Sequence, residues 1–181
     1  MRIIYVTALM AIVWVSTGCA HRDDRNRLVG SPAPDSDIAV KSAAYRQMLV
    51  ADPTDASTRL EYATTLYWQG KYRAAEEQFS TVLKQQPGNL EAMTALGYNY
   101  VWSDQFDLAE RQFKQALDNA PDDFGIQKGL ALTYLRSGRS SQALVAFKSL
   151  RQQHPDDLEV MAAIESMEAG VINSVAKRGH D

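Results

Sequence analysis

Residues 90–123 read LEAMTALGYNYVWSDQFDLAERQFKQALDNAPDD, and the same pattern returns on both sides of them. In steps of 34 residues, Pro121 aligns with Pro53, Pro87 and Pro155, and Phe113 with Tyr45, Phe79 and Phe147. Ala109 aligns with Ala75 and Ala143, and Asp123 with Asp55, Asn89 and Asp157. Four residue classes in one register mark an array of similar units, not one closed core. Each unit predicts two helices. The Asp or Asn side chain accepts backbone N–H groups at the start of the first helix. Tyr62, Ala63 and Leu66 share one face of that helix, as do Leu96, Gly97 and Tyr100 in the next unit. Gly70 and Gly138 permit the left-handed turn that ends it, and Asp104 takes the same place less comfortably. Ala75, Ala109 and Ala143 allow the second helix to come close to its partner. The prolines then stop the second helices near Gln85, Asn119 and Gln153.

This period and these positions resemble the tetratricopeptide repeat (TPR) family. The middle unit carries Leu96-Gly97, Tyr100, Ala109, Phe113 and Pro121 at the family's signature places. The flanking units, 56–89 and 124–157, match with Ala63, Gly70, Tyr72, Ala75, Phe79 and Pro87, and with Ala131, Tyr134, Gly138, Ala143, Phe147 and Pro155. The family's early Trp is replaced by Arg59, Met93 and Gln127. Residues 38–50 read as a second helix without its first, and residues 158–176 as a first helix without its second. Met161 and Ile164 continue the packed face there, while Glu165 and Glu168 make it a polar cap. The expected fold is therefore all-α, a solenoid of about eight antiparallel helices over residues 38–176, with a short tail at 177–181.

The remaining sequence is of another kind. Arg2 precedes the uncharged stretch from Ile3 to Val15, and small residues follow at Ser16-Thr17-Gly18. That is the layout of a cleavable export signal, residues 1–18, and it is shorter than the roughly 20 residues of a membrane span. The only cysteine of the chain, Cys19, stands directly after it. Thr17-Gly18-Cys19-Ala20 resembles the lipobox of bacterial lipoproteins, with Ser16 where Leu or Val is usual. The resemblance implies acylation of Cys19, and Ala20 implies the outer membrane, on its periplasmic face. Residues 19–37 are polar, contain Pro32 and Pro34, and lack aromatics, so they read as a tether. Its random-coil reach is roughly 20–25 Å.

Composition excludes several activities. The full chain has 19 Lys+Arg against 22 Asp+Glu, a formal charge of -3, which argues against a nucleic-acid binder. The three histidines are dispersed at 21, 154 and 180, and no phosphate-binding or nucleophile motif is present, so no metal, cofactor, small-molecule substrate or catalytic residue is expected. Asp122-Asp123 and Asp156-Asp157 recur in register beside helix starts and read as structural.

Function is expected instead on the concave face, which the first helices line in the TPR family. Three ladders separated by 34 residues run along it: Trp68, Trp102 and Arg136; Tyr67, Val101 and Leu135; Thr64, Tyr98 and Leu132. Lys128, one turn before Leu132, joins them. Two roles are open for the tryptophans: filling space between neighbouring first helices, or gripping a partner segment. Arg136 is positioned to stack on Trp102. The Lys and Asn of the two-carboxylate clamp are replaced by Leu60 and Thr64, so an acidic C-terminal peptide is not the expected ligand. Anchor, tether and repeats together resemble the TPR lipoproteins of Gram-negative envelope machines, among them the Flp (tight-adherence, Tad) pilus assembly lipoproteins and the type IV pilotins. The resemblance implies a scaffold for pilus or secretion-system components, a secretin among them. The alternative is an adaptor that recruits peptidoglycan hydrolases or proteases.

Overall fold

The computed structural model describes residues 35–178; the export signal, Cys19, residues 20–34 of the tether and the last three residues lie outside it. Eight helices and no strand occur among the described residues. They are α1 (Asp35–Ala51), α2 (Ala56–Trp68), α3 (Tyr72–Gln85), α4 (Leu90–Trp102), α5 (Phe106–Asn119), α6 (Phe124–Arg136), α7 (Ser140–Gln153) and α8 (Leu158–Arg178). Each packs mainly on its neighbours in sequence, and the first helices α4 and α6 also touch each other. The stack is the expected solenoid. Its first helix begins at Asp35, so residues 35–37 of the expected tether are helical, and α8 runs two residues past Ala176.

The boundaries follow from local chemistry. Oδ1 of Asp55, Asn89, Asp123 and Asp157 accepts the backbone N–H three residues on, at 2.9–3.0 Å each time. Such a cap contributes about 1 kcal/mol. The short inter-repeat turns close by a bond from the capping residue's own N–H, as Asn89 donates to the Gln86 carbonyl at 3.0 Å. Pro87 stands at the second position of that turn, where its fixed φ fits.

The turn inside each repeat is a Schellman motif. Gly70 and Gly138 adopt φ of 69° and 79°, and Asp104 adopts 61°. The following N–H groups reach back to the helix: Lys71 to the Leu66 carbonyl, Gln105 to Tyr100 and Arg139 to Tyr134, all at 2.9 Å. Asp104 thus performs a glycine's task with a Cβ in the left-handed region.

Two polar residues replace the family's early Trp by tying the first helix to the preceding loop. Arg59 donates to the Pro53 carbonyl and to Gln78 Oε1, and Gln127 Nε2 donates to the Pro121 carbonyl at 2.7 Å. The core itself runs through the repeats. Ala75, Val82, Ala109, Phe113, Ala116, Ala131 and Ala143 are fully enclosed, with Phe79 and Phe147 nearly so. Val160 and Ile164 of α8 close the far end, where Lys148 pairs with Glu168 at 2.8 Å. Glu168 therefore serves the cap as an ion-pair partner of α7, while Glu165 is exposed.

Candidate functional site

The first helices α2, α4 and α6 carry the expected ladders, and the structure gives their members different roles. Val101 is completely enclosed and belongs to the core. Trp102 is 5% exposed, so it forms the wall behind the expected partner face. Trp68, its counterpart one repeat earlier, is only half-buried. The tryptophans thus differ in burial: Trp102 is packed into the fold, and Trp68 keeps accessible surface.

Around Trp68 the groove is aromatic. The Tyr67 ring meets Trp68 edge-on, with centroids 5.0 Å apart, and tilts against Tyr72 at 6.0 Å. Burial pushes the Tyr67 phenol well above its ordinary pKa, so it is a neutral hydroxyl at any physiological pH. Thr64 turns its hydroxyl back to the Leu60 carbonyl at 2.9 Å, leaving its methyl for contact.

In the middle repeat Tyr98 spans two helices. Its ring stands edge-on to Phe113 at 5.2 Å, and its hydroxyl donates to the Gly125 carbonyl of α6 at 2.9 Å. Burial raises this phenol too. Phe113 in turn lies between Gly97 and Gly129. A Cβ built at these glycines would approach its ring to 2.7 and 2.4 Å.

At the third repeat both cations are already engaged. The Arg136 guanidinium stacks 4.5 Å over the Trp102 ring and pairs with Asp104 Oδ1 at 2.8 Å. Lys128 reaches Glu159 at 2.7 Å and Asp157 at 3.5 Å, and lies 5.4 Å above the Phe124 ring. Burial alone would depress the Lys128 ammonium, but Glu159 and Asp157 outweigh it and raise its pKa. Leu132 and Leu135 are half-buried beside them. Sequence reading missed Asp104 and Glu159 as the partners of these cations. Both stand just under one repeat length from their cation, which is a usable signal: oppositely charged residues 31 or 32 apart bridge neighbouring repeats.

Two polar atoms of this wall are enclosed without a partner, Trp102 Nε1 and Arg136 Nε. Among the described residues, no three His, Cys, Asp or Glu side chains gather as a metal site, and no helix is long and apolar enough to cross a membrane. The surface that remains for a partner is aromatic and aliphatic, with its positive charges neutralised from within. It suits an apolar segment laid along first helices.

Comparison with known proteins agrees with this geometry. A tetratricopeptide repeat sequence profile matches residues 42–97, 69–123 and 103–166. A tetratricopeptide repeat protein from Parabacteroides merdae superposes with a TM-score of 0.68 at 17% identity, over 73% of this chain and 52% of its own. This chain therefore spans about half the length of that relative. The crystal structure of MamA superposes with a TM-score of 0.66 at 20% identity, over 84% and 85%. A structure described as MamA AMB-1 is 26% identical, over 74% and 85%, with a TM-score of 0.57. The search against curated proteins returned no match.

Proposed function

Because the chain belongs to the tetratricopeptide repeat family, we propose that it is a membrane-tethered scaffold for a bacterial envelope machine, a pilus of the Flp/Tad or type IV kind or a secretion channel. The repeat array is a platform for protein–protein contact. The finer reading joins that platform to the Thr17-Gly18-Cys19-Ala20 motif. Acylation of Cys19 would hold the solenoid at the periplasmic face of the outer membrane, and the groove would hold a component of the machine there. No chemistry is required of the scaffold; it raises the local concentration of its partner.

The observation that carries the docking part is the contrast within the groove. Arg136 and Lys128 are satisfied by Asp104 and Glu159, whereas Trp68, Tyr67 and Leu132 keep reachable apolar surface. An apolar helix or extended segment fits such a face better than an acidic peptide. A photo-crosslinking residue placed at Trp68 in sealed envelopes tests it. The expected adduct is a pilus or secretion component, weakened by Leu132→Ala. An adduct with a peptidoglycan hydrolase or protease would replace this reading by the adaptor one. The anchor is tested separately with labelled palmitate: label on the wild type but not on Cys19→Ser is expected, and label retained by the variant would sink it.

A further inference from the structure

We propose that the Trp102 indole is a second contact of the groove, kept covered in the free protein, and that Arg136 is its cover. An extended apolar segment of the partner displaces the guanidinium from the ring and brings a main-chain carbonyl to the indole N–H. This rests on the groove reading above, and adds how the site opens and which kind of backbone it takes.

The residues come from three first helices. Trp68, Trp102 and Arg136 hold the same repeat position on α2, α4 and α6. α4 and α6 are in contact, and the Arg136 guanidinium carbon lies 4.5 Å from the centroid of the Trp102 ring. Its charge is also felt on α2. Burial dominates the raised pKa of the Tyr67 phenol, and the Arg136 cation acts on it in the opposite sense. The cover thus neighbours both the enclosed indole and Tyr67, whose ring meets the accessible Trp68.

The cover is lightly held. Arg136 Nη2 pairs with Asp104 Oδ1 at 2.8 Å, and the Asp104 side chain is 57% exposed. Solvent screens such a pair, so it contributes little. Lys128, two turns earlier on α6, is the contrast, because Asp157 and Glu159 both hold it. Two donors oppose the closed arrangement. Trp102 Nε1 and Arg136 Nε are enclosed, with no acceptor among the described residues. An N–H that gives up water and gains no acceptor is costly. Swinging Arg136 outward frees both donors and gives up one screened ion pair and one stacking contact. The closed and open arrangements therefore lie close in free energy, and a partner that binds only the open one tips the balance.

The same donors select the partner's backbone. In a helix the main-chain carbonyls accept from their own helix, except in the last turn. An extended segment offers unpaired carbonyls along its whole length, one for each rise of about 3.3 Å. A carbonyl can reach the Trp102 N–H without competing with Asp104 for charge, which an acidic side chain would have to do.

Hydrogen exchange at the indole tests the cover without a partner. The full chain, purified in mild detergent, is labelled with nitrogen-15 in its indoles, and the resonances are assigned with Trp14→Phe and Trp68→Phe. Asp104→Gly removes the carboxylate and supplies the residue that stands at the sister turns, Gly70 and Gly138. It should speed exchange of the Trp102 Nε1–H about three- to fivefold, as loss of an exposed pair allows, with no fall in the urea midpoint. Exchange that is unchanged or slower, following global stability, overturns the cover. Arg136→Met separates the cover from fraying of the turn: it should itself speed the exchange, and Asp104→Gly should then add nothing. A full effect of Asp104→Gly in that background overturns the proposal. With the photo-crosslinker at Trp68 in envelopes, Asp104→Gly should raise the adduct yield about threefold, because a larger open fraction strengthens apparent binding. An unchanged yield overturns Arg136 as a gate on binding. Proline scanned through the captured segment should be tolerated at most positions; loss of the adduct throughout marks a helical occupant and overturns the extended one. Faster exchange with no adduct in any variant would keep the mobile cover and remove the groove reading on which its partner rests.

Discussion

Phe113 of the middle repeat and its equivalents Phe79 and Phe147 are the same residue in three settings. Phe79 has Ala63 and Ala95 at the neighbouring first-helix positions, and Phe147 has Ala131 and Ala163. Phe113 has Gly97 and Gly129, and no Cβ would fit at either without displacing its ring. The reason stands in the groove wall. Tyr98 presses edge-on against Phe113 at 5.2 Å, where the outer repeats have the smaller Thr64 and Leu132. The large phenol takes space, and two methyl groups have been given up beside the Phe ring. Core and groove are therefore coupled in the middle repeat, and a change in one is felt in the other.

That coupling can be broken from the core side. Truncating Phe113 to Ala should lower stability by about 3–5 kcal/mol, the largest effect expected here. Gly129→Ala should follow at about 1–3 kcal/mol, because its Cβ overpacks a ring that is walled on its other side by Gly97. The diagnostic is rescue. Combining Gly129→Ala with Tyr98→Leu should restore part of the loss, measured as a coupling of about 0.5–3 kcal/mol in a double-mutant cycle of urea unfolding. Strict additivity would mean that Tyr98 does not set the ring's position. Reversing the outer case, Ala131→Gly should cost only about 0.5–1 kcal/mol by backbone entropy.

The tryptophans give the next largest contrast. Trp102→Ala should destabilise by about 3–5 kcal/mol because the ring is enclosed and covered by Arg136. Trp68→Ala should remove less, and its melting drop should be visibly smaller in parallel thermal scans. Equal drops would return Trp68 to the core and leave the groove without its aromatic grip.

The repeat was legible because prolines, caps and left-handed turns are local. Each of Pro87, Asn89 and Gly70 acts within a few residues, so its reading transfers directly to structure; helices α3, α5 and α7 end at Gln85, Asn119 and Gln153 as the prolines require. Asp104 was legible for the same reason, since the register alone demanded φ near that of Gly70 and Gly138. The groove was legible only in outline. A ladder of equivalent positions says which residues share a face, but not how far each neighbour covers it. Val101 and Trp102 lie on the expected ladders yet are enclosed, because α4 is flanked by first helices on both sides and Arg136 folds over the indole. The helix of Trp68 meets α4 on one side, and among the described residues no first helix precedes it on the other. Burial of identical positions thus depends on place in the array, which no single-repeat pattern encodes.

Asp104 also allows the middle turn to be compared with its glycine sisters. Asp104→Gly relieves a left-handed Cβ, a gain of about 1 kcal/mol, and removes the Arg136 carboxylate partner, a loss of about 0–1 kcal/mol at an exposed pair. A small net rise in urea midpoint is expected. A fall larger than about 1 kcal/mol would show that the Asp104–Arg136 pair holds Arg136 on Trp102 more firmly than exposed pairs usually do.

The smallest effect separates the two inter-repeat seams. Glu76 accepts the Tyr100 hydroxyl at 3.1 Å, and its equivalent Glu110 accepts the Tyr134 hydroxyl at 3.4 Å. Only Glu110 also meets cations, Lys114 at 2.7 Å and Arg139. The hydrogen bond from Lys114, followed by Arg139 and against some desolvation, holds the Glu110 carboxyl below its ordinary pKa. A carboxyl depressed in the folded state stabilises above its unfolded pKa, and that contribution is lost as pH falls through the folded value. The Tm difference between wild type and Glu110→Gln should therefore be greatest near neutral pH and shrink in acid. It should stay small throughout, because solvent screens the pair. A difference that widens in acid would contradict the depressed carboxyl. Glu76→Gln, measured beside it, tests whether the cations or the shared tyrosine bond make the second seam sensitive to acid.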